Sequence, residues 1–413
     1  MIFSPNRPPA IPASFQGMFS MNITGWNTSA VTDMSYAFQG ASAFNQAIGP
    51  WNTGNVTTMT SMFNLATAFN QPIGTWDVRK VTTFQGMFEG ASNFDQDISS
   101  WVTTALTGDG LIYMFKNAAK FNNGGQPMLY NAATGAWDLK NVTNLNQMFY
   151  GASKFNQPIG NWSTGNVQGL LGAFQYASEF NQSLAGWDVS KVTTMLNTFR
   201  SATKFNGDIT TWKTDSLTSL YYTFYGTEVF NQPIDTDSAA GTWNVSKVTT
   251  MESTFMGTKA FDQPLSHWNT AALTSLSQTF GLASRFNQDI SMWDVSKVTA
   301  FTGAFNKATR FDQDLSAWNP KASSNFSAFA NGSGLSTYNY DNLLIGWAAK
   351  AATLPLLSSG TLVVEPAYSC RAQSAHDLLT ASPYSWTIVE IQGGPTTIGS
   401  PKITSITPGF TSL

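Results

Sequence analysis

Apolar residues return along this chain with a period of 25. Tryptophan marks the period at Trp26, Trp51, Trp76, Trp101, Trp137, Trp162, Trp187, Trp212, Trp243, Trp268, Trp293 and Trp318. Nine of the eleven intervals are 25 residues; the other two, 36 and 31, carry insertions of 11 and 6. Trp347 and Trp386 lie outside the array. Phenylalanine stands seven residues before the tryptophan (Phe44, Phe69, Phe94) and Ile or Leu three before it (Ile48, Ile73, Leu184). Val or Leu follows at plus five (Val56, Leu217), Met, Leu or Phe at plus eight (Met59, Phe84), and a second phenylalanine at plus twelve (Phe63, Phe88). The positions between are mostly Asn, Asp, Gln, Ser, Thr and Gly.

A 25-residue unit with six apolar positions cannot bury them alone, whereas stacked copies can. The expected architecture is a repeat solenoid, a rod of about 50 Å with coils about 4.8 Å apart in a parallel sheet. F-N-Q-x-I is the expected strand, kept short by the prolines Pro72, Pro158, Pro233 and Pro264. The 3/4 spacing of V-x-x-M-x-x-x-F-x-x-A predicts a helical turn on the opposite side. Asn or Asp after the strand phenylalanine, usually followed by Gln, predicts polar ladders along the rod.

W-D-V-S-K-V-T-T-M, M-F-x-G-A-S and F-N-Q-x-I resemble the repeats of BspA-like bacterial surface proteins, relatives of leucine-rich repeats. The resemblance covers roughly residues 19–330. It implies a right-handed, leucine-rich-repeat-like solenoid on a surface protein linked to adhesion, with a small α/β C-terminal cap. It brings no catalytic residues.

A second period lies inside the first. Two residues after each tryptophan, from Trp51 onward, the chain reads Thr53, Val78, Thr103, Leu139, Thr164, Val189, Thr214, Val245, Thr270, Val295. Lys80, Lys140, Lys191, Lys247 and Lys297 occur only in the Val/Leu coils. A duplicated two-coil segment explains this as history. Alternatively, lysines about 10 Å apart would match a periodic acidic partner or a neighbouring rod.

The expected organisation is a lead-in and weak cap at 1–18, the solenoid at 19–334, a cap at 335–392, and a linker with the opening of a β-sandwich module at 393–413. YNYDNLLIGWAAKAA and SCRAQSAHDLLTAS read as helices, GTLVVE and SWTIVEI as strands. The insertions fall near 123–134 and 235–241, both between strand and tryptophan in threonine coils. They are expected to form one ridge carrying Tyr130, Asp235 and Asp237.

Only 11% of residues are charged and the formal net charge is −3, so no basic footprint points to nucleic acid. No apolar run predicts membrane insertion, and MIFSPNRPPA does not read as a signal peptide. His267 and His376 have no Cys or His at metal-ligand spacing, and the single Cys370 reads as structural. Asp97, Asp289 and Asp314 share one column; a calcium site or glycosidase pair is weighed there against solvated surface residues. The tryptophan column reads as core rather than as a sugar platform. A threonine column (Thr32, Thr57, Thr82, Thr193, Thr249), interrupted at Gln168, gives little support to ice binding.

The function expected is therefore non-catalytic recognition or adhesion at a cell surface or outside the cell, with no cofactor. The partner is a protein or glycan on another surface. The alternative is a self-associating subunit of a surface layer, filament or virion appendage. The candidate surface comprises Lys80, Lys140, Lys191, Lys247, Lys297, Tyr130, Asp235 and Asp237.

Overall fold

The computed structural model describes residues 22–235, 243–320, 322, 325–351 and 361–391. The expectations for 1–18, 393–413, Asp237 and the body of the second insertion lie outside the described residues.

Repeats stack on one another, and each side chain of the 25-residue pattern meets its counterpart in the next coil. Phe38, Phe63 and Phe88 stack with centroids 5.5 and 5.6 Å apart, and Phe44, Phe69 and Phe94 form a second column at 5.8 and 5.9 Å. Within a coil the two rings lie face to face, as Phe63 and Phe69 do at 3.9 Å. These phenylalanines, the Met and Val columns and nearly all the array tryptophans are buried. Each fully buried large side chain contributes about 1.5–3 kcal/mol.

The parallel backbone ladder does not run through F-N-Q-x-I. It runs through the threonine phrase after valine, bridging Asp33–Thr58–Thr83 and Asn144–Gly169–Thr194–Ser219–Thr250–Ser275–Ala300. Thr57 N donates to Thr32 O at 2.8 Å and Thr82 N to Thr57 O at 2.9 Å. In F-N-Q-x-I the N–H after the phenylalanine goes to a side-chain oxygen of the neighbouring coil, as Asn70 N does to Asn45 Oδ1, and among the described residues the isolated backbone bridges do not pass through this phrase.

The expected helical turn is also replaced. Two residues per coil sit at left-handed φ, for example Tyr36 (62°) with Gly40 (72°) and Ser61 (51°) with Leu65 (59°). A left-handed residue every fourth position prevents an α-helical run. Alternate N–H groups instead cross to the next coil: Met34 to Thr58 O, Tyr36 to Thr60 O, Phe38 to Met62 O and Gly40 to Asn64 O, at 2.7–3.0 Å. Ala37, Gln39 and Ala41 donate to carbonyls three residues back. The arc is thus a stack of tight turns.

The 36-residue interval is divided. Phe88 stacks on Phe115 and Phe94 on Phe121, each 27 residues apart, whereas Phe115 stacks on Phe149, 34 apart. Two extra residues therefore enter before Phe115 and nine after Phe121, rather than all eleven near 123–134. In the nine, Asn123–Gly125 forms a 3-10 turn and Met128 returns to the core.

The last coil passes into an α/β unit. Strand β1 (Asn325–Ala330) receives Gly303 N and Phe305 N of the preceding coil on Ser327 O and Phe329 O, and pairs in parallel with β2 (Thr361–Val364). β2 pairs in parallel with β3 (Thr387–Glu390), in the order β1-β2-β3. Helices α1 (Thr337–Ala349) and α2 (Gln373–Thr380) join this sheet. The helices and strands read from the sequence are present; β1, hidden in KASSNFSAFANGSG, is an addition. Trp347 and Trp386 pack on Phe326 of β1 at 5.1 and 5.6 Å, so both tryptophans outside the array are core of this unit.

Candidate functional site

What the surface can do follows from what the interior has already used. From Trp76 onward the array tryptophans donate their indole N–H to the carbonyl three residues before the previous tryptophan, as Trp76 does to Ile48 O at 3.2 Å, Trp187 to Ile159 O at 2.9 Å and Trp293 to Leu265 O at 3.0 Å. Trp162 and Trp268, each the first tryptophan of the coil after an insertion, donate to Met128 O and Ile234 O instead. Buried and hydrogen-bonded, this column offers no platform to a sugar.

The Asn column forms the expected polar ladder. Asn45 Oδ1 accepts from Asn70 N and Gln71 Nε2, and Asn70 Oδ1 from Asp95 N and Gln96 Nε2. The last member, Asp312, accepts from Ser336 N and Ser336 Oγ; Ser336 is the N-cap of α1. Because the column only accepts along this line, Asp serves as well as Asn.

The two members of the Thr/Val alternation do different work. Buried Thr53, Thr103, Thr164, Thr214 and Thr270 donate Oγ1–H to Asp77 O, Asp138 O, Asp188 O, Asn244 O and Asp294 O of the following coil, at 2.9–3.1 Å. Val or Leu fills the same place in the alternate coils without a hydroxyl.

The lysines are exposed, and several bridge coils. Lys80 Nζ donates to Asn55 Oδ1 at 2.8 Å, Lys191 to Asn166 Oδ1 at 2.6 Å and Lys247 to Asp215 O at 2.8 Å. Lys140 stands one position nearer its tryptophan and instead pairs with Asp138 at 3.3 Å, leaving the line of the others. Lys297 is exposed in the same column as Lys80.

Tyr130 leaves the stack in the first insertion, where Asn161 Oδ1 and Nδ2 hold its backbone N–H and carbonyl at 2.9 Å. Asp235, at the base of the second, accepts from His267 N and meets His267 Nδ1 at 2.8 Å. Asp97, Asp289 and Asp314 each accept from the backbone N–H two residues on, forming local turns. Among the described residues no three His, Cys, Asp or Glu side chains converge on a metal-sized site. Cys370 is exposed in the 3-10 turn Cys370–Ala372.

Charge is managed locally. The Arg79 side chain, bonded to Asp77 Oδ2 at 2.6 Å, holds the Asp77 carboxyl down at about 2. Hydrogen bonds from Ser190 lower Asp188. In the terminal unit, burial raises Glu390, which accepts from Tyr340 Oη at 2.9 Å, and burial raises the Tyr340 phenol further from neutrality.

The outer edge of the turn arc carries chemistry that the sequence columns did not single out. Lys116 Nζ lies 4.7 Å from the Tyr113 ring centroid and 5.9 Å from that of Tyr150. The Arg200 guanidinium lies 4.9 and 5.1 Å from those of Tyr222 and Tyr225. Beyond Tyr225, toward the C-terminus, a furrow of about 490 Å³ crosses several coils, with Gly226, Gly257, Met256 and Leu282 among its lining. The tyrosines were legible as residues, but the furrow arises from missing side chains and leaves no mark in an apolar pattern.

Residues 10–128, 125–237 and 235–342 match, as three tandem stretches, the family model described as Mycoplasma protein of unknown function, DUF285. No curated protein matches the chain. Among the described residues no helix is long and apolar enough to cross a membrane.

Proposed function

Given that the chain belongs to the DUF285 family and is a repeat protein, we propose that it is a non-catalytic recognition module displayed at a surface. In this reading the stacked coils are a leucine-rich-repeat-like solenoid, and surface display with adhesion is what the BspA-like resemblance implies. One observation carries the proposal: the inward columns repeat, whereas the column at the edge of the turn arc does not. Thirteen residues after Trp51, Trp76, Trp137, Trp162, Trp187, Trp212 and Trp243 the arc edge reads Asn64, Glu89, Tyr150, Gln175, Arg200, Tyr225 and Met256. A scaffold that satisfies its own backbone coil by coil is free to vary such positions, and binding surfaces are built on that freedom. The proposed partner is a protein or glycan of another surface.

A second reading, a self-assembling surface or filament subunit, draws on the outer edge of the terminal sheet. There Val389 of β3 and Ile391 just past it are 43% and 49% exposed, and among the described residues β3 has a strand on one side only; an edge strand favours pairing between chains.

Electron microscopy of the purified chain over a concentration series, with binding to whole cells measured in parallel, separates the two. Recognition predicts isolated rods of about 50 Å and saturable cell binding. Ordered polymers that bind no cell would overturn it.

A further inference from the structure

The furrow on the arc edge is built unlike the rest of its column. Its floor is the position fourteen residues after tryptophan, sixteen in the Trp101 coil, where the described coils place a left-handed residue. Left-handed φ alone does not demand glycine there, since Leu65 (59°), Tyr176 (61°) and Leu282 (59°) occupy it. Gly226 (66°) and Gly257 (74°) follow one another, so two adjacent coils leave the floor bare. A Cβ on Gly257 would come no closer than 3.6 Å, to Gly226 Cα, so the vacant space would accept a side chain.

The two walls differ. Tyr225 and Met256 make one, and the Tyr225 ring is held by the Arg200 guanidinium 5.1 Å from its centroid. Glu228 and Lys259 make the other, paired at 2.8 Å, with Ser284 and Thr309 beyond them, whose hydroxyls donate to Lys259 O and Ser284 O and so meet a ligand as acceptors, and Lys307 at the C-terminal end. The floor's backbone donors are already spent: Gly226 N on Met256 O at 2.7 Å, Gly257 N on Gly281 O at 2.8 Å, Leu282 N on Asn306 O at 2.7 Å.

A peptide adding as a strand needs open main-chain donors and acceptors, and the floor donors are taken. Glu228 and Lys259 neutralise each other, so a strongly charged ligand meets one remaining charge, Lys307 at the furrow's end. What fits is a ligand with an apolar face for Tyr225 and Met256 and a hydroxyl-bearing edge for the opposite wall. That is a hexose ring. We propose that the furrow floored by Gly226 and Gly257 binds a short stretch of a neutral oligosaccharide, its C–H face on Tyr225 and its hydroxyls on Glu228, Lys259, Ser284 and Thr309. This rests on the recognition reading above and gives that reading a ligand class. The volume of about 490 Å³ lies within the range of small-molecule sites.

The test is an array of neutral hexose and N-acetylhexosamine oligosaccharides, with acidic ones beside them, probed with the full chain. Calorimetry on the best neutral binder follows. Gly257→Leu fills the floor with a side chain that the column carries at Leu65 and Leu282, so the fold has a precedent for it. Tyr225→Ala removes the apolar wall. Each should weaken binding at least about tenfold, which is about 1.4 kcal/mol; Gly257→Leu, with its leucine held at a φ of 74°, should melt somewhat below the parent yet keep the parent's far-ultraviolet circular dichroism and cooperative unfolding. No binding of neutral saccharides, binding of acidic ones alone, or equal affinity in both variants would overturn the inference. Cell adhesion of the parent and of Gly257→Leu distinguishes the levels. Equal adhesion by both removes only the furrow, whereas a parent that polymerises and binds neither cells nor saccharides removes the recognition reading too.

Discussion

Asn156 offers the sharpest trial of the polar ladder. Its Oδ1 accepts from Asn181 N at 2.8 Å and Gln182 Nε2 at 3.0 Å, while Gln182 Nε2 also bonds Asn156 O at 3.0 Å. Asn156→Ala therefore strands one backbone N–H between coils and leaves the glutamine with a carbonyl. One lost bond and one weakened bond amount to about 1–2 kcal/mol. Asn156→Asp keeps the acceptor and reproduces what Asp95, Asp262 and Asp312 do elsewhere in the column. Its change should stay within about 0.5 kcal/mol, as for a surface substitution. Urea unfolding followed by tryptophan fluorescence at neutral pH reads both, with Trp162 and Trp187 as nearby reporters. Equal stability of the Ala variant and the parent, or an Asp variant as weak as the Ala variant, would refute the ladder as a stabilising device.

Further outcomes follow from other columns. Thr164→Val keeps the shape but leaves the Asp188 carbonyl without its 3.0 Å donor; a loss of about 1–2 kcal/mol in urea unfolding is expected. Gly90→Ala meets both a φ of 71° and a Cβ 2.6 Å from Leu65 Cδ2, and should lose about 1–2 kcal/mol, whereas Leu65→Gly, at 59° and 54% exposed, should not destabilise. Asp77, lowered from 3.8 to about 2, adds stability above its unfolded value that disappears as pH falls through about 2; Asp77→Asn should flatten that acid limb in a melting series. Glu390 moves the other way. Its folded form holds the proton more tightly, so the terminal unit weakens as pH rises from the ordinary 4.5 through the raised value, and Glu390→Gln should abolish that slope in amide exchange of α1.

The period, the core columns, the polar ladder and the terminal helices were legible because each imposes a residue type at a fixed place. Two assignments went astray for definable reasons. F-N-Q-x-I alternates like a strand, but its ladder is made by side chains, as Asn45 shows with Asn70 N. The Val-Met-Phe-Ala arc has helical spacing, yet a run of turns produces the same spacing; the glycines Gly40, Gly86 and Gly90, at positive φ, were its signal. The divided insertion was visible too, in Phe115 standing fourteen rather than twelve residues after Trp101. Of the surface residues singled out, Lys80, Lys191 and Lys247 prove to be bound to the preceding coil. The furrow was hidden, because a pattern of what is present cannot report two side chains that are not.

Ser336 N meets Asp312 Oδ1 at 2.8 Å just as Asp312 N meets Asn287 Oδ1 at 2.8 Å. The terminal unit thus plugs into the same socket that every coil offers to its successor. Nothing at this joint records how many coils came before. Unequal recombination between near-identical repeats in the gene can lengthen or shorten the array while the terminator still seats, changing the molecule's reach in steps of about 4.8 Å.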